Sequence, residues 1–198
     1  MLAASDERHI PHSLFVIADN KQTIPRIVKP LRQLGISVAG IVDVDVLKEG
    51  GADWTNQLTA IGVPALELSS YGNRRKQISD LLTQAADSQK SEHTKKRDFK
   101  TCGGLRLLSN DELEAAENLL NDLKTYGLFI VPHGEVENWL EYADAPRSKH
   151  NWLKKIFELM GHDPHDSNYI RPQEGDVWDF LGKVSSWIKN PNRRGIPN

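Results

Sequence analysis

The feature that most constrains the fold is a short, β-branched run at residues 37–47 that contains two carboxylates one residue apart. With glycines on both sides, this run is typical of a buried strand in a parallel sheet. The alternation of side chains along a strand predicts that Asp43 and Asp45 point to the same side. Crevices for ligands in open α/β sheets lie just outside the carboxyl ends of such strands. Because two close carboxylates repel each other, they need a counter-charge, and a divalent cation is the simplest one. The alternative is a pair of solvated aspartates at a strand-to-loop junction.

Composition limits the classes of protein to which the chain can belong. Its 198 residues suffice for one α/β domain with a hydrophobic core and a small appendage. The formal net charge of −2 excludes the strongly basic composition of a nucleic-acid coat protein, but it allows a local basic patch. The single cysteine, Cys102, excludes an internal disulfide framework and fits a reducing compartment. Apolar runs of membrane-spanning length and a signal-peptide core are both lacking, so we expect a soluble, cytoplasmic protein without a membrane partner.

The N-terminal half of the sequence predicts a β-α-β unit. The apolar residues 14–18 predict a first strand, and residues 23–34 predict a helix that Gly35 ends. The strand that ends at Asp43 follows directly. A crossover of this kind places its two strands parallel to each other.

The rest of the chain predicts helices around one more buried strand. In chain order, the pattern predicts an edge strand at residues 63–68, a helix at 73–86, a mobile loop or insertion at 87–104, a helix from the capping box Ser109–Glu112 to Gly127, a buried strand at 128–131, and helices at 150–160 and 176–189. We therefore expect an irregular segment at residues 1–13, an α/β domain at residues 14–145 and a helical extension at residues 146–198.

A second pair of acids, Glu135 and Glu137, follows the second buried strand. Two strands of one parallel sheet would then bring four carboxylates to the same edge. Such a cluster of oxygen ligands is what Mg²⁺ or Mn²⁺ needs. The alternative is that both glutamates lie in the first turn of a helix, where its dipole favours negative charge, and the two roles are compatible.

Two segments together resemble a known family. A strand with Asp-x-Asp occupies residues 41–47, and a strand followed by Pro-x-Gly-Glu-x-Glu occupies residues 128–137. Further matching segments are residues 21–23, 34–36, 138–140, 176–181 and 193–197. From Leu14 onward, the chain resembles the C-terminal TOPRIM region of ATP-dependent endonucleases of the OLD (overcoming lysogenization defect) type, where that region follows an ABC/AAA-like ATPase. The resemblance implies an α/β fold, a TOPRIM-like parallel sheet flanked by helices, with a helical C-terminal extension.

The resemblance also implies a divalent-metal nuclease site. TOPRIM domains hold Mg²⁺ for phosphodiester cleavage with a glutamate after the first strand and with the aspartate pair. The matching residues are Asp43 and Asp45, with Glu135 and Glu137 as later acidic positions and Mg²⁺ or Mn²⁺ as the cofactor. In such a site one metal activates the attacking water and another stabilises the leaving oxygen. Lys21 is expected to neutralise a phosphate oxygen as a point charge.

The chain departs from the family pattern on its N-terminal side. A complete TOPRIM domain has an upstream strand that ends in Glu-Gly, whereas the acid at that place here is Asp19, followed by Asn20. Either Asp19 replaces the glutamate, or residues 14–18 correspond to the family's second strand and the strand with the glutamate is absent. We favour the second interpretation, because one crossover separates Ala18 from Asp43. The sequence has no Gly-x-x-x-x-Gly-Lys-Ser/Thr phosphate loop, so the ATPase is expected as a separate domain or subunit.

These observations leave two functions of different classes. The first is a divalent-metal-dependent DNA endonuclease module that works with an ATPase, in which His133 and Asp19 contact the substrate. The second is a catalytically degenerate TOPRIM remnant that binds a partner ATPase or a second copy of itself. An exposed apolar sheet edge at residues 14–17 would favour the second function, because such an edge pairs with another strand. The basic residues 95–97 and 193–194 are candidates for contact with a DNA backbone, although solvated charge is their more common role.

Overall fold

A computed structural model of the chain describes most of its residues. The described residues are 13–88, 98–134, 136–139, 145, 149–160, 165 and 176–196. They form two compact units. The larger unit contains the described residues of Leu14–Glu135 and Asn190–Asn198, and the smaller unit contains those of Met1–Ser13 and Val136–Lys189. The chain therefore divides between Glu135 and Val136, and the predicted domain boundary at residue 145 stays a prediction.

The larger unit is an α/β structure with a small parallel sheet flanked by helices. Its elements are α1 (Ile24–Gln33), β1 (Gly40–Asp43), α2 (Gly51–Ala60), α3 (Leu68–Ser88), α4 (Asn110–Thr125) and β2 (Leu128–Val131), with 3₁₀ turns at Val44–Lys48, Ala65–Glu67 and Gly104–Leu107. The two strands pair in parallel, with Gly40 opposite Leu128 and Asp43 opposite Val131. The predicted α/β class and the parallel pairing are confirmed.

One hydrophobic core joins the sheet to α1, α2, α3 and α4, with Val28 as the buried residue of α1. It contains Val42, Val44, Val46 and Leu47 from the first strand and its turn, Trp54 and Leu58 from α2, Ile78 and Leu82 from α3, Leu119 and Leu123 from α4, and Leu128 and Ile130 from β2. The spacing of the buried residues in α4, three and four apart, is the stripe by which an amphipathic helix covers a sheet. Burial of about 25 cal/mol per Å² of apolar surface makes this cluster the main source of stability of the unit.

Local signals in the sequence predict the helices well. The helix predicted over residues 23–34 is α1, and its end is closed by hydrogen bonds from the Gly35 and Ile36 N–H groups to the Arg32 and Leu31 carbonyls. At its start, the N-cap residue Thr23 makes no side-chain capping bond. The Asn20 Oδ1 atom accepts a hydrogen bond from the Thr23 N–H at 3.0 Å. The helix predicted after the capping box is α4, but the described Ser109 makes no side-chain capping bond.

Two predicted strands are wrong. Residues 14–18 form no strand in the described structure, so the predicted β-α-β unit is also wrong, and β1 pairs with β2 instead. Leu14 and Ile17 are 85% and 87% exposed, and within the part of the chain that the structure describes this apolar run pairs with no strand. The edge strand predicted at residues 63–68 is a 3₁₀ turn, Ala65–Glu67, that leads into α3.

The loop predicted at residues 87–104 lies partly outside the described residues. Asp87 and Ser88 belong to the end of α3, and residues 89–97 are not described. The following residues are well packed, because Phe99 and Leu105 are buried in the core of the larger unit. Residues 98–103 form turns, and the mobile loop or insertion predicted over residues 87–104 stays a prediction.

The smaller unit contains α5 (Lys149–Met160), α6 (Asp176–Lys189) and a 3₁₀ turn at Val136–Asn138. Both helices confirm their predictions. Trp152 and Trp178 pack in an apolar cluster with Ile156 and Val177, as expected for tryptophans at helical apolar positions. Among the described residues of the chain, no helix is both long enough and apolar enough to cross a membrane.

Candidate functional site

The site is built at the edge of the sheet where both strands end. Because β1 and β2 run in parallel and Asp43 lies opposite Val131, the residues that follow the two strands meet at one edge. This confirms the geometric basis on which the sequence placed Asp43 and the loop after Val131 together.

Asp43 and Asp45 both line one cleft, but not for the predicted reason. The strand ends at Asp43, and Asp45 lies in the 3₁₀ turn Val44–Lys48, so the argument from strand alternation is wrong for Asp45. The turn is instead anchored by Val44, Val46 and Leu47, whose side chains are fully buried. With these apolar side chains directed into the core, both carboxylates remain partly exposed along a cleft of about 400 Å³, which Asp19 and Lys21 also line.

Lys21 is the counter-charge of Asp45. Its Nζ lies 3.3 Å from Asp45 Oδ2 and 2.5 Å from Glu49 Oε1. Burial alone would lower the pKa of Lys21, but the hydrogen bond to Glu49 and the charge of Asp45 outweigh burial and raise the pKa above its ordinary value. The buried amide of Gln57 on α2 donates a hydrogen bond to the Lys21 carbonyl. This contact fixes the backbone of Lys21 against α2.

Lys100 is the counter-charge of Asp43. Its Nζ lies 2.6 Å from Asp43 Oδ2, and the lysine side chain is 21% exposed. A turn beginning at Asp98 presents this lysine, because the Asp98 side chain accepts a hydrogen bond from the Lys100 N–H at 3.0 Å. Burial would raise the pKa of Asp98, but its hydrogen bonds from Lys48 and from the Lys100 backbone lower it. Since Lys48 belongs to the turn after β1 and Asp43 is the last residue of β1, two ion pairs join the end of β1 and its turn to residues 98–100.

The loop after β2 holds the segment that carries Lys100. The Leu105 N–H donates a hydrogen bond to the Pro132 carbonyl at 2.9 Å. Gly104 has a φ of +62°, and a Cβ atom there would lie 2.2 Å from the Pro132 oxygen. A Cβ atom at Gly134 would lie 2.0 Å from the Lys100 oxygen. Glycines are therefore required on both sides of this contact, which brings Lys100 to the sheet edge.

The predicted site residues have different outcomes. The structure brings Asp19, Lys21, Asp43 and Asp45 to one cleft. Glu135 lies outside the described residues. Glu137 is described in the smaller unit, where it is 6% exposed and its Oε2 atom has no described hydrogen-bond partner.

His133 lies in the loop after β2 and is half-buried. Its predicted contact with a substrate stays a prediction. Within the described parts of the chain, no three histidine, cysteine, aspartate or glutamate residues are placed so that they could hold a metal ion.

Three residues of the site are absent from the sequence-based prediction: Lys100, Glu49 and Gln57. Glu49 carries a signal in the sequence, since it is a third acid shortly after Asp45. Lys100 carries none, because 57 positions separate it from Asp43. Gln57 has the appearance of an ordinary polar helix residue, and only its burial and its bond to Lys21 give it a role.

The donor set of the cleft suits a hard divalent cation. Asp43 and Asp45 offer only oxygen atoms, and Mg²⁺ is commonly bound through one or two carboxylates while it keeps several waters. In the described structure, lysine ammonium groups occupy the positions beside both carboxylates. A cation would therefore compete with Lys21 and Lys100 for the same oxygens.

Comparisons of the chain with protein-family models, with curated proteins and with solved structures gave no match. The TOPRIM resemblance therefore rests on the sequence motifs alone.

Proposed function

We propose that the chain is a divalent-metal-dependent DNA endonuclease module of an OLD-type ATPase/nuclease system. The observation that carries this proposal is the arrangement of Asp43 and Asp45 along one cleft at the carboxyl edge of a parallel sheet, with Lys21 and Lys100 beside them. Carboxylates that hold a cation, next to lysines that bind phosphate oxygens, are two kinds of group that metal-dependent phosphodiester hydrolysis uses. The TOPRIM resemblance of the flanking motifs supports the same reaction.

Asp43 and Asp45 would hold Mg²⁺ or Mn²⁺ in this site, and the TOPRIM resemblance adds Glu135 as a further ligand. When bound, the metal lowers the pKa of a water that attacks phosphorus and stabilises the leaving oxygen. The described carboxylates suit this role because both are partly exposed to the cleft, with side-chain exposures of 45% for Asp43 and 26% for Asp45. A substrate phosphate can therefore reach them.

Lys21 and Lys100 have the role of exchangeable counter-charges. While no substrate is bound, each ammonium neutralises one aspartate and prevents the repulsion that two nearby carboxylates would suffer. When a phosphodiester enters, the ammonium groups can turn from the carboxylates to the phosphate oxygens, because a lysine side chain is long and flexible. Gln57 holds the Lys21 backbone in place during this exchange.

The experiment that tests the proposal is plasmid nicking with Mg²⁺ or Mn²⁺. Wild type is compared with Asp43→Ala, Asp45→Ala and a control, Asp80→Ala, which removes an exposed carboxylate on α3 that is paired with Lys76 outside the cleft. We expect nicking by wild type and the control, and its loss in both cleft variants. Circular dichroism of each variant verifies folding. Equal nicking in all four proteins, or none in wild type with either metal, would reject the nuclease proposal.

A second candidate function is a protein-interaction module for a partner ATPase or for self-association. The observation that favours it is the exposed apolar segment of Leu14, Phe15, Val16 and Ile17, which lies outside the described sheet. Contiguous exposed apolar residues of this kind mark sites of protein–protein interaction. Sedimentation velocity on wild type and on a Phe15→Ser, Ile17→Ser double variant tests self-association, which the double variant should weaken. If wild type is a monomer at all concentrations, self-association is rejected and binding of a partner ATPase remains. Equal pull-down of that ATPase by wild type and by the double variant would then reject this function.

A further inference from the structure

A second groove adjoins the cleft of Asp43 and Asp45. It lies between α1 and α2, has a volume of about 560 Å³, and shares Lys21 and Gln22 with the cleft. This volume is within the range of roughly 300–1,000 Å³ that is usual for sites of small ligands. Because two residues line both spaces, a chain-like ligand that enters the cleft can continue into the groove.

The α1 wall of the groove is positively charged. Arg26 and Lys29 line it, are exposed, and lie three positions apart on one helix face. The helix contains no acidic residue. Among the described residues, neither Arg26 nor Lys29 has a carboxylate within ion-pair distance, whereas Lys21 at the groove entrance has two. The two cations of the wall are therefore available to an anionic ligand.

The α2 wall is polar, and its charges have other partners. Glu49 is paired with Lys21, and Asp53 lies in the first turn of α2, where the helix dipole offsets its charge. Gln57 also lines the groove and is only 3% exposed, and its Oε1 atom has no hydrogen-bond partner in the described structure. A buried amide oxygen without a partner is costly, so the groove offers an acceptor to a donor group of a ligand.

We propose that the α1–α2 groove binds single-stranded DNA beside the cleaved bond, with Arg26 and Lys29 on its phosphates. This inference rests on the proposed nuclease function, and it adds the path by which the substrate reaches the cleft. The charges suit this path: Asp43 and Asp45 line the cleft, where a cation would be held, and the cations Arg26 and Lys29 line the α1 wall of the groove, where phosphates that do not react would lie. A single strand suits the groove because its unpaired bases have free amino groups, which can donate to Gln57 Oε1.

The test measures binding separately from cleavage. Fluorescence anisotropy of a short, fluorescein-labelled, single-stranded oligonucleotide is recorded in EDTA, over a series of salt concentrations. Wild type is compared with an Arg26→Gln, Lys29→Gln double variant. The control is a Lys76→Gln, Lys154→Gln double variant, which removes the same net charge from exposed positions on α3 and α5. The variants keep Lys21, Asp43 and Asp45.

We expect the groove variant to bind about tenfold more weakly, on the basis of roughly threefold for each exposed charge pair. The slope of log K against log salt should fall in magnitude by about 1.4, because each phosphate contact to a single strand contributes roughly 0.7. The control should bind within about twofold of wild type. Equal affinity of the groove and control variants, or no binding by wild type, would overturn the inference. If the groove variant loses affinity but wild type never nicks DNA, the binding site for single-stranded DNA is supported and the nuclease function is rejected.

Discussion

The contact that brings Lys100 to the sheet edge can be tested at Gly104. Replacement of Gly104 by alanine introduces two costs. A φ of +62° is unfavourable for an alanine by about 1–2 kcal/mol. In addition, the new Cβ atom would lie 2.2 Å from the Pro132 oxygen, whereas ordinary contact begins near 3.4 Å, so the loop after β2 must move away.

This movement breaks the hydrogen bond between the Leu105 N–H and the Pro132 carbonyl. The loss of a buried hydrogen bond costs about 1–3 kcal/mol. Gly104→Ala should therefore lower the free energy of unfolding by about 2–5 kcal/mol. Gly103→Ala is a matched control, because Gly103 also has a positive φ, +102°, while its nearest obstacle, Arg106 Cβ, lies 3.7 Å away. The control should lose only about 1–2 kcal/mol.

Urea unfolding followed by circular dichroism measures this difference, and hydrogen exchange of the peptide that contains Leu105 locates it. With a slope of about 1–3 kcal/mol per molar urea, the Gly104 variant should unfold at a midpoint lower than that of the control by roughly 1 M. Faster exchange at Leu105 should accompany this change in the Gly104 variant alone. Midpoints that agree within the error of the fits would refute the tight contact between the loop after β2 and the segment of Lys100.

Three further predictions concern the charged residues of the larger unit. Arg32 is 1% exposed and donates hydrogen bonds to the carbonyls of Val38 and Ile61, and its burial, together with the charge of Arg193, lowers its pKa to about 10. Arg32→Met should therefore lower the free energy of unfolding in urea by about 2–4 kcal/mol. The control Arg26→Met, on the exposed face of the same helix, should lower it by less than about 0.5 kcal/mol. Lys100→Met should change the free energy of unfolding by less than about 1 kcal/mol. It should raise the Mn²⁺ affinity measured by calorimetry several-fold, because it frees the Asp43 oxygens. Unchanged or weaker affinity would contradict the competition between Lys100 and a cation for Asp43. Because the pKa of Lys21 is raised in the folded protein, its stabilising ion pairs are present below pH 10.5 and are lost as the pH rises through the folded pKa. In urea unfolding above pH 10.5, Lys21→Met should therefore lose less stability than wild type loses. Equal losses in the two proteins would speak against these ion pairs.

The sequence predicts those parts of the fold whose signals are local. The helix α4 has an apolar spacing of three and four residues and ends before Gly127, and β2 is a continuous apolar run, so both elements are found where they were expected. Residues 14–18 show why such signals are insufficient for a strand. This run is as apolar as β2, but a strand exists only where it has hydrogen-bond partners, and the partner is set by distant parts of the chain.

The candidate site is predictable only to the extent that strand ends are predictable. Asp43 and Asp45 share a cleft because the valines and leucine around them are buried, and the sequence shows those apolar residues but not the turn that they form. Lys100 reaches Asp43 through the close contact of Gly104 with Pro132, which is a contact between segments far apart in the chain. Counter-charges of this kind require the tertiary structure.

The most direct test of the central claim, that Asp43 and Asp45 hold a divalent cation, is a calorimetric titration of the full chain with Mn²⁺. Wild type is compared with Asp43→Asn, Asp45→Asn and the control Asp80→Asn, which removes a carboxylate outside the cleft. We expect binding at micromolar strength in wild type and the control, and loss of that binding in both cleft variants, which keep the size of the side chain. Binding of equal strength in Asp43→Asn and wild type, or no binding in wild type, would contradict the claim.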